Sequence, residues 1–111
     1  MIEVRRYCQA DGSEPFTDWL ARLTDRQAKA RLLTRIDRLE TGNFGDCKFL
    51  RDGVSELRID WGPGYRIYFG RIGSRVVILL CAGDKRRQTS DIERAVEFWN
   101  NCKARSKNDE K

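Results

Sequence analysis

From Val54 to Trp61 the chain alternates, with Leu57 and Ile59 on one side and Glu56, Arg58 and Asp60 on the other. A period of two is the signature of a half-buried strand. Gly62-Pro63-Gly64 turns the chain, and Tyr65 to Arg71 alternates again, with Tyr65, Ile67 and Phe69 on the apolar side and Arg66 and Tyr68 opposite. Gly73-Ser74 suits a tight hairpin turn. Arg75 to Ala82 is apolar at successive positions (Val76, Val77, Ile78, Leu79, Leu80), which predicts a central strand covered on both faces. Residues 2 to 9 begin with the same alternation and read as a further strand, ended by Asp11-Gly12.

Three other segments carry the helical period. Phe16, Trp19, Leu20 and Leu23 recur at i, i+3, i+4 and i+7 behind Ser13 and Pro15, which open the helix. Thr24 and Gln27 have capping-box spacing for a second helix, with Ala28, Leu32, Ile36 and Leu39 on its apolar side and Gly42 as its stop. Its other side carries Arg31, Arg35 and Arg38, read as a solvated face balanced by nearby acids. Ser90 and Glu93 have the same capping spacing ahead of a stripe of Ile92, Ala95, Val96, Trp99 and Cys102. The predicted order is β-α-α-β-β-β-α, an α+β domain over residues 1–103 with its helices packed on one face of a mostly antiparallel sheet. Residues 104–111 form a polar C-terminal tail expected to fray.

At 111 residues and 40% hydrophobic content the chain suits one domain, one core and no more. No apolar run approaches the roughly 20 residues of a membrane span, and Met1 to Arg6 lacks the pattern of a signal peptide. A cytoplasmic protein that does not engage membranes is the expectation. Cys8, Cys47, Cys81 and Cys102 form no C-x-x-C pair, so a metal site is not expected. Cys81 and Cys102 fall in apolar patterns and read as small buried side chains.

The composition excludes some chemistry outright. There is no histidine, so no Ser-His-Asp or Cys-His nucleophile, no His-ligated zinc and no imidazole acid–base pair is possible.

The net charge of +5 is localised. Between Cys47 and Gln88 the bases Lys48, Arg51, Arg58, Arg66, Arg71, Arg75, Lys85, Arg86 and Arg87 outnumber the acids Asp52, Glu56, Asp60 and Asp84, whereas the rest of the chain is balanced. Most of the bases are Arg, whose planar fork grips phosphate and stacks on bases. With Trp61, Tyr65, Tyr68 and Phe69 interleaved, the segment fits a nucleic-acid partner better than a membrane. A basic sheet surface that merely keeps the protein soluble is the alternative.

If the helices cover the apolar face, Glu56, Arg58, Arg66 and Tyr68 line an open polar face. The loop after the last strand adds Lys85, Arg86 and Arg87 at one end of it. Converging cations could cleave RNA without histidine: the 2′-hydroxyl attacks the adjacent phosphate and fixed Arg side chains stabilise the charge that develops. A lysine crowded by like charges gives up its proton more readily and can act as a base, and Tyr68 or Glu56 could join the proton transfer. Cross-strand Glu56–Arg66 or Asp60–Arg58 pairs would account for the same residues without any chemistry.

The runs Gly45-Asp46-Cys47-Lys48-Phe49-Leu50, Gly53-Val54-Ser55-Glu56-Leu57-Arg58-Ile59, Gly62-Pro63-Gly64-Tyr65-Arg66-Ile67-Tyr68 and Leu79-Leu80-Cys81-Ala82-Gly83-Asp84-Lys85, then Gln88 and Asp91 to Ala95, carry a resemblance. Over about residues 1 to 100 the chain resembles the RelE/ParE toxin superfamily, in particular the HigB-like addiction-module killer proteins related to phage Gp49. The resemblance implies the toxin of a type II toxin–antitoxin module, neutralised by a cognate helix-turn-helix antitoxin through which the complex binds operator DNA. RelE-like members cut mRNA in the 30S A site of the ribosome with no cofactor; ParE-like members poison DNA gyrase, and a non-catalytic RNA- or protein-binding domain is a third possibility. The RelE-type nucleases imply catalytic or phosphate-binding roles for Arg66, Lys85, Arg86 and Arg58; the strand alternation and the basic loop add Tyr68 and Arg87 as candidates for binding nucleic acid. The chain departs from RelE in having Ile92 where a functional tyrosine stands, Glu56 and Arg58 for a pair of lysines, and Arg86-Arg87 after Gly83-Asp84-Lys85.

Overall fold

The computed structural model describes residues 1–109. In chain order these form β1 (Glu3–Arg6), α1 (Pro15–Arg22), α2 (Arg26–Glu40), β2 (Cys47–Arg51), β3 (Val54–Ile59), β4 (Tyr65–Ile72), β5 (Val76–Asp84), a single 3-10 turn (Lys85–Arg87) and α3 (Gln88–Asp109). The five strands lie in the order β1-β5-β4-β3-β2. β1 runs parallel to β5, and the other pairings are antiparallel. The fold is α+β with a mostly antiparallel sheet, as the hydrophobic pattern predicts. None of the helices is long and apolar enough to cross a membrane among the described residues.

The helix starts follow from local chemistry. Pro15 opens α1, where its missing N–H would have had no intrahelical partner. Asp25, not Thr24, caps α2: its carboxylate accepts from the N–H groups of Gln27 at 3.0 Å and Ala28 at 3.1 Å. Past the end of α2, Gly42 takes φ +89° and its N–H donates to the carbonyl of Leu39.

The strand β2 is absent from the sequence reading. Cys47–Arg51 is short, edge-placed and interrupted by a bulge between Phe49 and Arg51, which blurs its alternation. The signal that would reveal it is Asp52-Gly53. Both residues have positive φ, 53° and 83°, the requirement of a type I′ hairpin turn.

The helices occupy both faces of the sheet, which corrects the expectation of a single covered face. α1 and α2 bury Phe16, Leu20, Ala28, Leu32, Ile36 and Leu39 against Leu57, Ile59, Ile67, Phe69, Val77 and Leu79. α3 buries Ala95, Phe98 and Trp99 on the opposite side, against Tyr7, Val54, Tyr68, Ile78 and Leu80. The physical reason was already visible in β5. A strand apolar at every position needs cover above and below, and the stripe on α3 supplies the second layer. The register of β4 with β5 slips between Tyr68 and Phe69, a bulge in β5 at Leu80. Beyond it Cys81 joins the α3 side and Ala82 the α1–α2 side.

Trp99 shows how closely α3 lies on the sheet. A Cβ on Gly70 would stand 2.5 Å from its ring, and one on Gly53 2.4 Å from its Nε1. α3 also continues to Asp109, so residues 104–109 of the polar tail are helical rather than frayed, and residues 110–111 lie outside the described residues. Burial pushes the Cys81 thiol up to about 12, which makes it an inert packing group, and Cys102 is half-buried against the same cluster.

Candidate functional site

Adjacent antiparallel strands put Arg58 of β3 directly opposite Arg66 of β4, and Glu56 opposite Tyr68. All four side chains leave the sheet on the α3 side. Because α3 covers only part of that side, the four divide. Tyr68 is fully buried, and its hydroxyl has no hydrogen-bond partner. Its phenol is pushed well above the usual range, chiefly by burial and then by the charge of Glu56. Tyr68 therefore lies in the core under α3, not on a nucleic-acid surface, which corrects its expected place. Glu56 is buried as well.

Arg58 and Arg66 reach the open end of the sheet. Arg58 is held by Asp46 at 2.9 Å and 3.1 Å, from Nη2 and Nε to the same carboxylate oxygen. Arg35 of α2 braces this corner from behind. Its guanidinium donates to the carbonyls of Arg58 at 2.6 Å, Phe44 at 2.9 Å and Asp46 at 3.2 Å. Arg35 is thus a strut between α2 and the site, not part of the solvated face it was expected to share with Arg31 and Arg38. Arg31 lies over the Trp61 ring at 3.9 Å.

The third cation comes from the other direction. Asp84 ends β5 and accepts from the N–H of Arg86 at 2.9 Å, which starts the 3-10 turn. The segment read as a basic loop is this helical turn running directly into α3, and Ser90 lies within the helix, not at its cap. The N–H of Lys85 donates to the carbonyl of Gly64 at 2.9 Å, which docks the turn on the β3–β4 connection. Gly64 has φ +83°, and a Cβ there would meet Lys85 Cδ at 3.3 Å and Arg66 Nη1 at 3.6 Å.

These elements enclose a cleft of about 240 Å³ lined by Asp46, Arg58, Asp60, Gly64, Arg66 and Lys85. The structure therefore brings three of the expected site residues together. Arg86 and Arg87 line an adjoining groove that shares Lys85. Arg86 is 76% exposed and bound to Asp84 at 2.8 Å, and that guanidinium holds the Asp84 carboxyl below its usual range. Asp46 is a lining residue that the sequence reading left without a part, and Asp60 enters that reading only as a partner for Arg58. Of the two pairings weighed from sequence, Glu56–Arg66 forms at 3.7 Å, whereas Arg58 takes Asp46 in place of Asp60. Lys85 has no ion-pair partner among the described residues.

Asp91, in the first turn of α3, lies against the back of this region. Its Oδ2 is buried without a partner, so close to Gly83 that a Cβ there would fall 2.0 Å away. Burial raises its carboxyl above the ordinary value. The sign follows: the folded state binds this proton more tightly than the unfolded chain does. The cost of ionising Asp91 is absent below the unfolded value, about 3.9, and is fully present above the folded one. Relative to Asp91→Asn, the parent protein should lose stability as pH rises through that interval, measured as the difference in denaturant midpoint at each pH. A difference that is flat with pH would contradict it.

The fold and site define a small α+β protein with three cationic side chains and two carboxylates around a cleft at one end of its sheet. The family model described as phage-derived protein Gp49-like (DUF891) matches residues 18–97, and the chain belongs to that family of toxin-like addiction-module proteins. It is also 51% identical over 80 residues to an uncharacterized protein of Haemophilus influenzae, an alignment covering 72% of this chain and 81% of that relative. The matched span contains Arg58, Arg66, Lys85 and Arg86.

Proposed function

We propose that the chain is the HigB-like toxin of a type II toxin–antitoxin module and acts as a RelE-type endonuclease on mRNA in the ribosomal A site. The observation that carries this reading is the convergence of Arg58, Arg66 and Lys85 on one cleft. Three cations around a space of that size fit a phosphodiester and its neighbours, and fixed donors of this kind act most strongly on charge that develops during reaction.

In the proposed step the 2′-oxygen of the substrate bonds to the adjacent phosphorus as the bond from phosphorus to the 5′-oxygen breaks. The products are a 2′,3′-cyclic phosphate and a free 5′-hydroxyl. The proton lost by the 2′-hydroxyl goes to a carboxylate, for which Asp60 lines the cleft, and the leaving oxygen takes a proton from the Lys85 ammonium. Arg58 and Arg66 hold the non-bridging oxygens. Membership of an addiction-module family supports an antitoxin partner; a helix-turn-helix protein encoded beside this chain is the form proposed.

The reading is tested in a translating extract by mapping the 5′ ends of a reporter message. New ends inside the reading frame are expected, and none on the same RNA without a start codon. Intact message accompanied by trapped gyrase–DNA cleavage complexes would overturn it in favour of a gyrase poison. Coexpression of the neighbouring antitoxin gene is expected to relieve growth arrest.

A further inference from the structure

Behind the cleft lies a buried contact that phosphate binding does not by itself require. Glu56 is 2% exposed at its side chain, yet it is a carboxylate in the middle of a sheet. Burying such a charge is costly unless it is paired and hydrogen-bonded. Two groups meet it. Gln88, the first residue of α3, donates from Nε2 to Glu56 Oε2 at 3.0 Å. The same oxygen stands 3.7 Å from Nε of Arg66, whose side chain is 16% exposed. At that separation the contact is an ion pair rather than a hydrogen bond, and Arg66 Nε has no other partner. The only hydrogen bond from the guanidinium runs from Nη1 to the carbonyl of Tyr65 at 3.1 Å, among the described residues.

The geometry points to Glu56, itself held by Gln88, as the positioning residue for Arg66: the carboxylate fixes the inner, Nε edge of the guanidinium and leaves the outer edge free for a phosphate oxygen. This rests on the functional reading above and deepens it. Arg66 faces Arg58 across the strands, and two guanidinium groups so placed repel each other. Arg58 is steadied by Asp46 in an exposed pair. Among the described residues the buried carboxylate is the one acid within ion-pair distance of Arg66. Gln88 links the bracket to α3, so the seat of α3 on the sheet sets where Arg66 points.

The test compares the full-length protein with Glu56→Gln, Gln88→Ala, Arg66→Ala and Arg66→Ala/Glu56→Gln. Glu56→Gln keeps the shape and an acceptor for Gln88 but removes the charge on Arg66. Misplacement of a reacting group by about 1 Å can cost 10²-fold, so kcat should fall about 10- to 100-fold. KM should not rise, because the cleft has lost a negative charge. Gln88→Ala should give a smaller fall of the same kind. In the Arg66→Ala background Glu56→Gln should cost nothing further, since its effect passes through Arg66. A merely structural Glu56 would instead lower the melting temperature and leave kcat of the folded fraction unchanged, and that result overturns the proposal.

A second measurement is independent of turnover. The Nε proton of Arg66, followed by NMR, should be protected from exchange in the parent protein and lose protection in Glu56→Gln and Gln88→Ala. If the parent cuts no RNA, the functional reading fails, and the Nε–H signal still decides whether Glu56 holds Arg66. Equal exchange in all three proteins overturns the bracket whatever the activity.

Discussion

Arg66→Ala should lower the rate of the proposed mRNA cleavage by about 10²–10³-fold, the loss typical of removing one fixed donor from developing charge. The size of the effect follows from where Arg66 sits. It is the least exposed cation of the cleft for which an ion pair fixes the side chain, and charge acts more strongly where water is excluded. Arg86 is the contrast: exposed, in the neighbouring groove and already spent on Asp84. Its replacement by alanine should cost less than about 10-fold, in the range of a screened surface charge. Truncating Arg66 also strands the Glu56 charge, and an unpaired buried carboxylate destabilises a fold. The double variant Arg66→Ala/Glu56→Gln removes that complication. Its cleavage rate, measured on protein shown to be folded by circular dichroism, should stay as low as that of the single variant. Recovery of activity in the double variant would mean that Arg66 matters for folding and not for the phosphate.

The largest expected effect on stability comes from a site far from the cleft. Gly70→Ala drives a Cβ to within 2.5–2.6 Å of three atoms of the Trp99 ring. The ring cannot slide along the sheet to escape, because its other edge lies over Gly53, again with room for no Cβ. Relief therefore requires α3 to lift. Overpacking costs about 1–3 kcal/mol, and loss of a buried Trp about 3–5 kcal/mol, so a cost near 3 kcal/mol is expected. For a domain of this size that lowers the melting temperature by about 10–20 °C. The partner experiment puts Gly70→Ala into Trp99→Leu, where the smaller side chain leaves space. There the added cost should drop below about 1 kcal/mol, the coupling being the signature of a shared contact. An unchanged melting temperature for Gly70→Ala in the parent would show that α3 does not lie on the sheet as described.

Elements with a clear period were legible from the residues. The stripes Phe16–Leu20 and Ala28–Leu32–Ile36–Leu39 are buried as read, and Leu57, Ile59, Ile67 and Phe69 face them. What was lost was tertiary. Alternation separates the two faces of a strand but does not say whether the second face meets water or a helix. Glu56 and Tyr68 looked like surface groups for that reason, and the apolar run of β5 was the clue that a helix covered them. At the site, the meeting of Arg58, Arg66 and Lys85 follows from strand pairing and one turn, so spacing anticipated it. Asp46, Asp60 and the Arg35 strut depend on loops and on α2 crossing the sheet end, for which no local pattern exists.

The bulge in β5 has a consequence for how the gene can tolerate change. It acts as a phase shift: before it, Val77 and Leu79 face the helical pair, and after it Ala82 does. Gly83 is thereby turned to meet Asp91, and the chain leaves the sheet in the orientation that lets Lys85 dock on Gly64. Deleting Leu80 would remove the extra residue and restore a regular strand, with Cys81, Ala82 and everything downstream still facing as they do now. A residue inserted after Cys81 would instead turn Ala82 and Gly83 to the opposite faces, and Lys85 would leave from the wrong side of the sheet. Deletion of Leu80 should therefore spare the cleft and cost only packing under α3, whereas a single-codon insertion between Cys81 and Asp84 should undock Lys85 from Gly64 even where it spares expression.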